Sequence, residues 1–189
     1  MAAERTIICA SPRPHGACAT ATREARRLLA VAGEPAPRTF FLHELDVAPC
    51  IGCDRCKQLG RCFMRDDMGR VIAALDETDV LCIASPVYFA GPPAGYKALL
   101  DRLQPYFWTF ERGGARRPAH LLVSGAGGDP HGFDPLVVCT RSALAVAGFR
   151  LASVASCIGT GAAGARAAVP RWIGLGNDRE GEGSPHDGR

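Results

Sequence analysis

Cys50, Cys53, Cys56 and Cys62 fall within thirteen residues, in the run PCIGCDRCKQLGRCFMRDDM. The spacing C-x2-C-x2-C-x5-C can wrap four thiolates round one centre without help from distant chain, the donor set of an iron–sulfur cluster. Structural zinc also takes four cysteines, but its ligands usually come as two C-x2-C knuckles on separate turns. Free thiols that merely pack are a third reading. A bacterial ferredoxin run has x3 before its last cysteine and a proline after it. Here the gap is x5, and Pro49 precedes the first cysteine. The other five of the nine cysteines stand alone. Cys9, Cys82, Cys139 and Cys157 lie in apolar segments and read as small core residues. Cys18 falls at a helix start near Arg13, a setting that can lower a thiol pKa, but it reads first as an ordinary loop residue.

Three other segments have the residue types of a ligand loop. Ser11-Pro12-Arg13-Pro14-His15-Gly16-Ala17-Cys18-Ala19-Thr20 leads from a strand end into a helix. Helix N-terminal amides, hydroxyls and one arginine there suit a phosphate monoester, and they equally suit an ordinary capped turn. Ser85-Pro86-Val87-Tyr88-Phe89-Ala90-Gly91 sets a rigid proline turn beside two aromatics. A flat ring could lie against it, or the aromatics could pack on the core. The segment from Ser124 carries Gly125, Gly127 and Gly128, which permit close backbone approach.

Other nucleotide chemistries are poorly served. No G-x-x-x-x-G-K-[ST] is present, so triphosphate hydrolysis lacks its lysine. Gly159-Thr160-Gly161-Ala162-Ala163-Gly164 matches G-x-G-x-x-G, but it follows the last strand and Pro170 should break any helix. The match therefore reads as chance. His15, His43, His120 and His131 read as surface or turn residues, and Lys97 with Asp101 as a structural i,i+4 pair. Phe107, Trp108 and Phe110 read as packing aromatics, or as cover for a ligand or a neighbouring subunit.

Positioning these segments requires a scaffold, and the apolar pattern supplies one. Strands are expected at Arg5–Ala10, Thr39–Leu42, Val80–Ala84, His120–Ser124 and Leu151–Ile158. Helices are expected at Thr20–Ala32, Asp67–Glu77, from Gly91 through about Leu103, and at Pro135–Ala147. Alternation of this kind gives an α/β fold, a doubly wound five-stranded parallel sheet. Ligands in such sheets sit beyond the carboxyl ends of the strands, where all three loops lie. One domain over residues 1–170 is expected, with the cysteine loop 49–66 inserted and a polar, disordered tail over 171–189.

The composition is globular, 47% hydrophobic and 22% charged, with a net charge of +3. No basic stripe suits a nucleic acid, and no apolar run suits a membrane. The N-terminal apolar stretch is too short for the core of a signal peptide, so a cytoplasmic protein is expected.

Taken together, Ser11-Pro12-Arg13 with Gly16, Pro49 and the four cysteines, Asp66-Asp67-Met68, Ser85-Pro86-Val87-Tyr88-Phe89, and Lys97 through Asp101-Arg102 resemble one family. It is the flavodoxin-like NADPH-dependent FMN reductase family, in its iron–sulfur flavoprotein branch. The resemblance spans roughly residues 5 to 158. It implies a flavodoxin-like sheet of order 2-1-3-4-5, FMN bound non-covalently, and a [4Fe-4S] cluster on Cys50, Cys53, Cys56 and Cys62. It further implies Ser11, Arg13, Gly16 and Thr20 round the phosphate, with Ala17 and Cys18 where the family has Asn and then Thr or Ser. Pro86, Val87, Tyr88 and Phe89 would flank the isoalloxazine, and Ser124, Gly125 and Gly127 complete the expected cofactor site. Arg55, Lys57, Arg61 and Arg65 would offset cluster charge. The final amphipathic helix of the family is not evident.

The implied protein is an FMN-dependent oxidoreductase or electron-transfer flavoprotein, its chemistry on the flavin and not on a side chain. It would be a homodimer or a dimer of dimers, fed by NAD(P)H or a ferredoxin-like donor. The alternatives are an NAD(P)H-dependent FMN or quinone reductase without a cluster, and a flavodoxin-fold binding or sensor protein with structural zinc.

Overall fold

The computed structural model describes residues 3–109 and 114–175. Five strands, β1 (Arg5–Cys9), β2 (Arg38–Phe41), β3 (Val80–Pro86), β4 (Arg117–Gly125) and β5 (Phe149–Ile158), form one sheet. Its order is β2-β1-β3-β4-β5, and every pairing is parallel, as expected. The order reverses between β1 and β3, so their carboxyl ends open a crevice.

Both faces of the sheet are covered. Ile7, Cys9, Cys82, Ala84 and Leu122 face α1 (Ala17–Val31) and α7 (Gly161–Trp172). Ile8, Leu81, Ile83, Leu121 and Val123 face α3 (Met68–Asp76), α4 (Ala94–Asp101) and α6 (Asp134–Val146). This two-sided burial explains strands that do not alternate in polarity. Helix α1 buries Cys18, Ala19, Ala21, Ala25 and Leu29. Its stripe is mostly alanine, so the helix lies close on the sheet.

Helix α7 corrects the expectation that Pro170 excludes a final helix. It runs from Gly161 to Trp172 with Pro170 inside. The proline removes one bond, to the carbonyl of Arg166, and both residues are exposed. Water can therefore replace the lost donor. Ala165, Val169, Trp172 and Ile173 are buried against the sheet, and indole Nε1–H of Trp172 donates to the carbonyl of His120 at 3.2 Å. The core thus reaches Ile173, and residues 176–189 of the expected tail lie outside the described residues.

Two short helices were not expected: α2 (Arg55–Leu59), inside the cysteine loop, and α5 (Gln104–Thr109). Lys97 and Asp101 pair at 2.6 Å on the exposed side of α4.

Candidate functional site

The loops after β1, β3, β4 and β5 meet in one cavity of about 780 Å³, a size typical of small-molecule sites. Ser11, Arg13, Gly16, Ala17, Cys18, Pro86, Val87, Tyr88, Ser124 and Gly125 all line it. Backbone bonds continue the sheet into its floor. Val87 N–H donates to the Ser124 carbonyl at 2.9 Å, and Gly159 N–H to the Gly125 carbonyl at 2.8 Å. Ser11 Oγ accepts from Arg13 N–H at 3.0 Å, which fixes the first turn.

A second cavity, of about 370 Å³, adjoins the first across Val87 and Ala126 and is lined by Phe89 and Gly127. Phe89 is fully exposed, and it and Ala90 hold positive φ of 49° and 61°. Tyr88 and Gly91 exchange both backbone bonds at 3.0 Å across them. Left-handed backbone is uncommon for such residues, and here it closes a two-residue turn that throws Phe89 outward.

Thr20 does not line either cavity. Its N–H is spent on the Gly16 carbonyl, one turn inside α1. Thr22, another hydroxyl of that helix, is buried. Sequence reasoning missed His15, Ala126, Cys157, Gly159, Gly161 and Ala162, which complete the lining. The glycine pattern from Gly159 was the signal: it opens α7 at the cavity wall.

Two helix N-termini, of α1 and α7, thus face the same space, and neither has an acidic residue in its first turn. Their free amides, with Arg13, favour an anion. Cys18 does not carry the lowered pKa that its helix-start position could have given it. Its side chain turns inward, 1% exposed, and Sγ lies 3.0 Å from Ser124 Oγ. Burial pushes the thiol up to about 12, against the opposing hydrogen bond from Ser124. A neutral thiol puts no negative charge beneath the anion site. By its size, its amides and its lack of acid, this cavity fits a flavin mononucleotide.

The cysteine loop forms a separate cavity of about 240 Å³, lined by Cys50, Cys53, Cys56 and Cys62 together with Phe63, Met64 and Arg102. Among the described residues none lines both this cavity and the larger one. Asp54, at φ 55°, turns the chain so that α2 carries Cys56 inward, where it is buried. Among the described residues no three His, Cys, Asp or Glu side chains converge on a point that suits one metal ion. The four cysteines share one cavity with eight other lining residues.

The neck of the loop is closed by hydrogen bonds. Asp46 N–H donates to the Asp67 carboxylate at 2.9 Å and Asp67 N–H to the Asp46 carbonyl at 2.9 Å. Asp66 accepts from Ala48 N–H at 3.2 Å and from Met68 N–H at 3.1 Å. Arg102 grips Asp66 at 2.7 and 3.0 Å and the Ala48 carbonyl at 2.8 Å. Lys57 sits 4.9 Å from the centroid of Trp108, which joins α2 to α5. Trp108 and Phe107 therefore belong beside the cysteine loop and a groove along α4, not over the larger cavity; Phe110 lies outside the described residues.

The Arg102–Asp66 pair is buried, with side chains 2% and 7% exposed. The Arg102 hydrogen bonds hold the Asp66 carboxyl below its ordinary range, against burial and helped by the two backbone donors. A depressed carboxyl stabilises the fold above its unfolded pKa, and that contribution is lost as pH falls through the folded value. Asp66→Asn is expected to cost about 3–5 kcal/mol near neutrality, since Arg102 stays buried and uncompensated. Its urea-unfolding free energy should then fall less than the parent's below about pH 4. An unchanged acid limb would show that Asp66 does not set it.

Comparison with known proteins decides the family. Residues 5–164 match the family model for NADPH-dependent FMN reductase. The chain belongs to that family. It is 40% identical over 99 residues to an iron–sulfur flavoprotein of Methanocaldococcus jannaschii, covering 52% of this chain and 50% of that one. An iron–sulfur flavoprotein of Archaeoglobus fulgidus is 31% identical over 99 residues, covering 52% and 44%. The chain thus spans about half the length of the curated relatives it matches.

Solved structures share the fold at low identity. A protein of Streptococcus mutans superposes with a TM-score of 0.70 at 14% identity, covering 91% of this chain and 97% of that one. General stress protein 14 of Treponema denticola, solved in complex with FMN, gives 0.60 at 15%, covering 91% and 98%. Among the described residues no helix is long and apolar enough to cross a membrane.

Proposed function

We propose that this chain is an FMN-dependent oxidoreductase whose cysteine loop holds a [4Fe-4S] cluster and exchanges electrons with an NAD(P)H- or ferredoxin-type donor. The observation that carries the reading is the pair of separate cavities: one at the strand ends with two helix N-termini, the other ringed by four cysteines. Family membership, relatives named iron–sulfur flavoproteins and a structural neighbour holding FMN support it.

Bound there, the flavin would supply two-electron and one-electron chemistry and the cluster one-electron transfer. The chain's residues bind and orient. Amides of Gly16, Ala17 and Cys18 and the Arg13 side chain would take the phosphate, with the Ser11 turn holding the loop. Pro86, Val87 and Tyr88 would flank one side of the ring, with Ser124, Gly125 and Gly127 against another edge. Phe89, exposed beside the mouth, would be covered by a second copy in a homodimer or a dimer of dimers.

Anoxic purification tests the reading. Heat-released flavin should be FMN, with iron and acid-labile sulfide in equal amounts. Absence of any flavin, even after titration with FMN, would sink the oxidoreductase reading; zinc without sulfide would sink the cluster. FMN without metal would favour the plain reductase.

A further inference from the structure

Within the cysteine cavity one buried donor is left over by every bond of the fold. Arg102 commits Nη1 to Asp66 and the Ala48 carbonyl and Nη2 to Asp66, while its buried Nε has no partner. An unpaired cationic donor in the interior is costly. Arg102 nevertheless lines the same cavity as the four cysteines, and Cys62 is the thiol that neighbours its guanidinium, with no hydrogen bond between them. Arg55 is engaged elsewhere, its Cζ 4.5 Å from the Phe63 centroid, and Lys57 lies over Trp108.

We propose that Arg102 is a positioning residue for a group held by the four cysteines, its Nε–H donating to Sγ of the Cys62 thiolate. The proposal rests on the cluster reading above and sets Cys62 apart from its three companions. A donor on a ligand sulfur draws off negative charge, which favours the reduced cluster and raises its potential. Asp66 accepts from Nη1 and Nη2 of the same guanidinium and so makes no claim on Nε.

The test compares anoxically reconstituted parent, Arg102→Met and Asp66→Asn proteins by iron and sulfide content and by redox titration followed with electron paramagnetic resonance. The cluster midpoint potential should fall in Arg102→Met and stay near the parent's in Asp66→Asn, which keeps the donor. An unchanged potential in Arg102→Met overturns the proposal, as does an equal fall in both variants, the signature of a merely structural pair. In the parent itself, the nitrogen-15 Nε–H resonance of Arg102 should shift on cluster loading. A resonance that does not move overturns the proposal even where a variant fails to fold. A parent that takes up no iron and sulfide sinks the cluster reading together with what rests on it, whereas a loaded parent with an unmoved Arg102 sinks only the role of Arg102.

Discussion

Cys56→Ser is expected to strip the protein of iron and acid-labile sulfide while leaving its FMN in place. Cys56 is the one buried thiol of the four, carried inward by α2 and facing the same cavity as Cys50, Cys53 and Cys62. Serine keeps the shape but is a far poorer ligand to iron than a thiolate. Loss of an outer-shell partner alone costs about 10–100-fold in metal affinity, so loss of a ligand should exceed that. The flavin should remain because, among the described residues, none lines both cavities. Iron, sulfide and flavin assays on one preparation give the answer. Simultaneous loss of FMN would show that the loop supports the flavin site structurally.

Gly125→Val should do the reverse, expelling FMN while sparing iron. A Cβ at Gly125 would lie 2.7 Å from Val87 Cγ1 and 3.1 Å from Ile158 Cδ1. The backbone cannot retreat, since the Gly125 carbonyl holds Gly159 N–H and the adjacent Ser124 carbonyl holds Val87 N–H. Val87 must therefore move, and it stands on the ridge between the two adjoining cavities. Overpacking of this kind costs roughly 1–3 kcal/mol in stability. At least a tenfold rise in the FMN dissociation constant, about 1.4 kcal/mol, is expected. Fluorescence titration with FMN measures it, and an unaltered constant would place the ring elsewhere.

The sheet was legible because its inner strands, β1, β3 and β4, are buried on both faces and read as nearly continuous apolar runs; each observed strand begins or ends within about three residues of its expected limit. The strand order came from the family resemblance, and periodicity would not have supplied it. Helix α7 was hidden by its composition. Alanine and glycine give little amphipathic contrast, and Pro170 suggested a break that the exposed side of the last turn tolerates. Of the expected cofactor residues, the loops after β1 and β3 fell together, whereas Thr20 was placed one turn too far into α1 to reach the cavity.

Arg102 left a readable trace. It follows Leu99 by three positions and precedes Leu103 by one, on a stripe whose other members are apolar. A charge on such a stripe demands a buried counterion, and the neighbouring Asp66-Asp67 pair supplies one. What no local pattern shows is that Asp66 would be that partner, because 36 residues separate the two.

The closed neck at Asp46–Ala48 and Asp66–Met68 makes the cysteine segment a cassette. Its two ends are stitched to each other and to Arg102 before either meets a strand. What lies between can lengthen, shorten or change its chemistry without moving β2 or α3. A lineage could change what this loop does and inherit the sheet scaffold untouched.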